Sequence, residues 1–215
     1  MAADHNGARH VSARQALKSK TFWHIAVAVA LQVTVLMAVI THVMPYLSSI
    51  QITRSNATLV ASGIPLLSIA GRLGFGWLGD TFDKRRVAAA AFVLMSFGLL
   101  SFAYADDTRV WLLVPFLILF GPGYGGIISM RAALLREYFG RGEFGAIHGL
   151  VVAIMMPGSI AGAPLAGWVF DSWGSYHPIW LVFAGFMVTG MSLMLTMRSH
   201  RGDHTDKDQA PKDWN

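Results

Sequence analysis

Six long apolar blocks constrain this chain more than any other feature of its sequence. They run roughly over residues 22–50, 57–79, 87–105, 110–130, 144–170 and 178–197. Each has about 20 residues or more, the length that crosses a ~30 Å hydrocarbon core as an α-helix. Barrel strands would be segments of about ten residues with alternating character, and these blocks are too long and too uniformly apolar. In lipid every backbone amide must be paired within its own segment, so the blocks are helices. Only 13% of the 215 residues are charged, about half the ~25% usual in a soluble domain. The expected fold is an all-α membrane protein with six transmembrane helices in one bundle.

Around those blocks the chain divides into a basic segment (1–21), the bundle (22–197) and a charged, aperiodic tail (198–215) that is expected to be disordered. The first 21 residues have no short apolar core with a small-residue cleavage site, and the apolar run after them is too long for a signal peptide. Six spans put both ends of the chain on one side. That side collects fourteen cations: four before the first span, Lys84, Arg85 and Arg86 in the second loop, Arg131, Arg136 and Arg141 in the fourth, and four in the tail. The other side has Arg54 and Arg109. By the positive-inside bias both termini are cytoplasmic, in a multi-pass protein of the cell membrane. The net charge of +5 is thus a topology signal and calls for no nucleic acid.

One cation is left over. Arg72 follows fourteen uncharged residues (58–71) and precedes Asp80 by eight, which places it about 12 Å deeper along a helix. A charge at the bilayer centre costs on the order of 2.5–3.5 kcal/mol, and one retained there faces a polar cavity or a partner. Its guanidinium fork suits a carboxylate. The competing expectation is that the side chain snorkels to the interface or pairs with Asp80. His42 and His148 are further candidates for solute contact because imidazole titrates near neutrality, and Tyr124 could line the same cavity.

Small residues mark the packing surfaces. The run GPGYGG (121–126) lacks the Lys-Ser/Thr of a phosphate loop and lies within a span. In GSIAGAPLAG, Gly158 and Gly162 lie four apart on one helix face, with Pro164 and Gly167 beyond, a small-xxx-small packing stripe. No span carries paired carboxylates, a His-rich cluster or a Ser/His/Asp set, so no enzyme, metal or cofactor is expected. His200 and His204 fall in the tail.

The loop between the second and third spans carries Gly76-x-Leu78-Gly79-Asp80-x-x-Asp83-Lys84-Arg85. It resembles the loop motif of the major facilitator superfamily, G-x-L-A-D-x-x-G-R-K/R, with Asp83 in place of the second glycine. THVMPYL (41–47), the stretch from GPGYGG to FGAIHGL (121–150) and GAPLAGWVFD (162–171) are similar to the C-terminal half of oxalate/formate antiporters and monocarboxylate transporters. The resemblance spans about residues 13–197. It implies the C-terminal six-helix half of a carrier in which two bundles rock about a solute held between them. Gly76, Gly79, Asp80, Asp83, Lys84 and Arg85 would form the gating loop. Arg72, four before Gly76, would bind the solute carboxylate.

Two departures shape the expected solute. Ser68 stands where the monocarboxylate group has a proton-coupling aspartate. Met155 stands near where the oxalate carriers have a second cation, a lysine, so the resemblance points away from a solute with two acidic groups. The expected function is secondary active transport of a small organic solute, a monocarboxylate-type anion, by alternating access. Its partners would be the lipid bilayer and a second six-helix bundle. The other reading is a non-transporting membrane subunit that binds or regulates a partner bundle.

Overall fold

The computed structural model describes residues 12–197; the tail and its two histidines lie outside the described residues. The helices are α1 (Ala13–Leu17), α2 (Lys20–Ser49), α3 (Arg54–Thr81), α4 (Lys84–Ala103), α5 (Leu113–Phe139, entered through a 3₁₀ turn at Val110–Leu112), α6 (Phe144–Trp173) and α7 (His177–Leu195). Six of them, α2 to α7, are long and apolar enough to cross a membrane. Local signals set their ends. Asp83 caps α4 by accepting the Arg85 amide at 3.0 Å, and Gly174 ends α6 in the left-handed region at φ 67°, where a side chain would be strained.

Two boundaries differ from the sequence reading. The basic segment is not wholly separate from the bundle: Ser12 and Gln15 form a reciprocal capping box on α1, and the Ala13 amide donates to Glu143 Oε2 at 2.7 Å, tying α1 to the turn before α6. More consequentially, α5 continues to Phe139. Arg131 therefore lies inside a membrane-spanning helix and not in the following loop. The uncharged residues after it (132–135) extend the apolar face by another turn.

The bundle is an arc. α5 packs on α4, α4 on α7 and α7 on α2, while α3 lies against α5 on one flank and α6 against α2 on the other. Phe92, Met95, Leu99, Phe102, Phe116, Phe120, Trp180 and Phe183 fill the core between the central helices. The flanks are different. In their apolar stretches 61% of α4 is buried but only 28% of α3 and 11% of α6, so these two helices offer much of their apolar surface outward.

Both flanking helices are held by contact at the backbone. A Cβ on Gly125 would come within 2.0 Å of the Ser68 carbonyl oxygen, and one on Gly71 within 2.2 Å of that of Pro122. This joins α3 to α5 on both sides of the crossing. On the other flank a Cβ on Gly162 would lie 2.1 Å from the Thr34 carbonyl oxygen, and one on Gly158 would lie 2.5 Å from Thr34 Oγ1. Lipid tails are as apolar as leucine, so helices in a membrane associate through such close packing. GPGYGG is thus a packing surface, not a phosphate loop.

Backbone atoms cannot rotate away from an added methyl group, so Gly125→Val and Gly162→Val are each expected to destabilise the bundle by about 3 kcal/mol, the upper end for overpacking. Gly185, whose Cβ would meet nothing within 4 Å, is the control: Gly185→Ala should leave stability unchanged or slightly raised. Thermal unfolding in detergent, read by retention of the monodisperse chromatographic peak, measures all three.

Candidate functional site

Arg72 is exposed on α3, close to the edge of the stripe that packs on α5, since Gly71 and Phe75 beside it are buried. Its carbonyl oxygen accepts a hydrogen bond from Ser129 Oγ of α5 at 3.0 Å. Arg72 and Ser129 are therefore at one depth in the bundle. No ion pair joins its guanidinium to a described residue, and Asp80 likewise makes no hydrogen bond or ion pair there. Helical side chains lean toward the N-terminus of their helix. Arg72 lies nine residues before the C-terminal end of α3 at Thr81. Its Cα–Cβ bond therefore tilts away from that end and from Asp80. Ser68, one turn earlier, is buried and donates its hydroxyl to the Pro65 carbonyl at 2.7 Å.

Tyr124 and His148 both lie within electrostatic range of Arg131, a residue that a shorter span would leave in a loop. Arg131 lies two turns after Tyr124 on the same side of α5, and Nη1 donates to the Met155 sulfur of α6 at 3.2 Å. Its Nε is buried without a hydrogen-bond partner among the described residues. The Tyr124 side chain is partly buried against the core and within electrostatic reach of Arg131, as is the His148 ring. His148 stacks on Phe144 with ring centroids 5.7 Å apart, and its Nδ1 is also buried without a partner. Arg136, one turn beyond Arg131, lies over the Phe144 ring at 5.1 Å. The signal for Arg131 was present in the sequence as an isolated cation between two uncharged stretches; the expectation of a short span hid it.

His42 is elsewhere. It lies in the last two turns of α2, toward the opposite end of the bundle from Asp83. Nε2 is 2.9 Å from the Ala163 carbonyl oxygen and Nδ1 is 3.0 Å from the Tyr176 hydroxyl. The neutral tautomer satisfies both, with Nε2–H donating to Ala163 and Nδ1 accepting from Tyr176. With both nitrogens engaged between α2, α6 and the start of α7, His42 has none left for a solute. Its ring also rests 3.5 Å from where a Cβ on Gly167 would be, while Pro164 is exposed.

The charged loop forms a latch. Asp83 grips Arg85 twice, with Oδ1 accepting from Nε at 3.1 Å and Oδ2 from Nη2 at 2.8 Å. Arg85 Nη1 also donates to the Met197 carbonyl oxygen, so the start of α4 is fastened to the end of α7. Lys84 pairs with Glu137 of α5 at 2.7 Å. The departure at Asp83 thus has a physical account, because its carboxylate both caps α4 and holds Arg85. Gly79 is buried against the Met130 side chain. Gly76, in contrast, would meet nothing within 4 Å with a Cβ added.

Hydrogen bonding to the Arg85 side chain holds the Asp83 carboxyl below its ordinary range, against a smaller opposing effect of burial. A carboxyl lowered by folding contributes stability above its unfolded pKa of about 4, and that contribution is lost as pH falls through the lower folded value. Asp83→Asn should therefore flatten the acid limb of the Tm-versus-pH curve below about pH 4. Asp83→Ala should cost about 1 kcal/mol at neutral pH through the lost cap. Thermal unfolding between pH 2 and 7 tests both.

Residues 13–214 match the sequence profile of the Major Facilitator Superfamily. Monocarboxylate transporter 12 of Xenopus laevis is 25% identical over 156 residues, covering 72% of this chain and 34% of its own length. Monocarboxylate transporter 13 of Rattus norvegicus is 26% identical over 160 residues, with 73% and 36% covered. The chain thus spans about a third of the length of these relatives. Among solved structures, the E. coli fucose:proton symporter superposes with a TM-score of 0.68 at 18% identity, over 89% of this chain and 47% of that one.

Proposed function

Because the chain belongs to the major facilitator superfamily, we propose that it is the C-terminal six-helix half of a secondary active transporter, or a half-length transporter, that moves a small organic anion of the monocarboxylate type by alternating access. The observation that carries this reading is Arg72, an exposed guanidinium on a membrane-spanning helix with no acidic partner among the described residues. A guanidinium at that depth is stabilised by an anion that enters and leaves. The names of the monocarboxylate transporters it resembles agree with a carboxylate. Without an acidic side chain at Ser68, a coupling proton has to be carried by another group.

One bundle supplies one wall of such a cavity. The outward apolar faces of α3 (Leu66, Ile69, Leu73) and α6 (Val152, Met156, Ile160) suit a second six-helix bundle, and the symporter that superposes on this chain has about half its length beyond the matched part. Placing Arg131 within a span leaves thirteen cations beside the two termini against Arg54 and Arg109 opposite. The bias still puts both ends in the cytoplasm, with the latch of Asp83, Lys84 and Arg85 on that face of a cell-membrane protein.

Membrane vesicles carrying the chain assembled with its second six-helix bundle should take up labelled propionate. Arg72→Gln should lower that uptake about tenfold or more, the loss expected for one hydrogen bond to a charged group. A folded, normally abundant Arg72→Gln protein that transports like the parent would refute the carboxylate role and favour a non-transporting subunit.

A further inference from the structure

Arg131 takes no part in the contacts of Arg72. It lies eight residues before the end of α5, about 12 Å inside the helix, and two residues beyond Ser129, the residue that marks the depth of Arg72. The two arginines are thus level to within about 3 Å along parallel helices. As with Arg72, the Cα–Cβ bond of Arg131 tilts toward the N-terminus of its helix.

The groups around Arg131 do not neutralise it. A guanidinium has five N–H donors, and among the described residues their one hydrogen-bond contact goes to the thioether of Met155, a weak acceptor. Nε is buried without a partner, as is His148 Nδ1 on the facing helix. The other faces around it are apolar, formed by Ile25 and Val29 of α2, Ala88 and Phe92 of α4, and Met194 of α7. No carboxylate of a described residue pairs with it. Buried polar atoms are almost always hydrogen-bonded, and those that are not call for an account such as a ligand. A partly buried cation whose Nε is unsatisfied forms a site with donors to spare and no acidic acceptor among the described residues.

We propose that Arg131 is a second anion-binding group of the solute cavity, so that the preferred solute carries two acidic groups, one for Arg72 and one for Arg131. This rests on the carboxylate-binding reading of Arg72 given above and replaces its monocarboxylate with a dicarboxylate. It also reverses what the uncharged Met155 implied, because the cation that α6 lacks is delivered to the Met155 side chain from α5.

The test is equilibrium binding of labelled succinate and labelled propionate to the chain assembled with its second six-helix bundle in mild detergent at neutral pH. The parent should bind succinate about tenfold or more tightly than propionate, the gain from a second charge-assisted contact. Arg131→Gln should erase that preference, whereas Arg72→Gln should weaken both by about tenfold or more. Arg131→Lys, which keeps the charge and loses the fork, serves if the glutamine variant does not fold, and should reduce the preference several-fold. Propionate binding with no preference for succinate in the parent overturns the second site and leaves Arg72 in place. Retention of the preference in folded Arg131→Gln or Arg131→Lys overturns it as well. Binding of neither anion overturns both readings together.

Discussion

The close approach of backbones at two crossings governs the rest of this structure. α3 rests on α5 where Gly125 meets the Ser68 carbonyl, and α6 rests on α2 where Gly162 meets that of Thr34. Neither flank has the burial to hold itself by apolar area, and in lipid that area would give little association in any case. The contacts also set depth. With α3 pressed against α5, the Ser129 hydroxyl reaches the Arg72 carbonyl, and every statement about which polar groups share a level of the membrane follows from that register.

A second consequence concerns charge. Two of the loop cations are consumed locally: Arg85 by Asp83 and the end of α7, Lys84 by Glu137. They brace three helices at one end of the bundle. Arg72 and Arg131 are deeper and have no acidic side chain among the described residues to meet them. The bundle therefore separates cations that hold it together from cations whose charge remains available. The histidines divide in the same way, with His42 bound into the α2–α6–α7 junction and His148 left with an unsatisfied nitrogen beside Arg131.

How much could be read beforehand depended on whether a feature is local. Six spans were legible because a helix of about 20 apolar residues is self-sufficient in hydrogen bonds. The oddity of Arg72 was legible from its spacing to Asp80. The C-terminal half of α5 was not, because a single arginine reads as a boundary until the following apolar turn is packed against its neighbours. Gly76 and Gly79 look equivalent in sequence and differ only in what stands opposite them. Asp83, a departure from the loop motif, gained its meaning once its carboxylate was seen to hold both the α4 cap and Arg85.

By itself the sequence determined the class of the fold, the number of spans and one charge that had to be accounted for, since apolar length and backbone pairing are properties of each segment alone. The tertiary structure decided which cations are spent and which are free, that Arg131 belongs with Tyr124, His148 and Met155, and that His42 does not. Those are contacts between helices far apart in the chain, and no periodicity within one helix encodes which face of another it will meet.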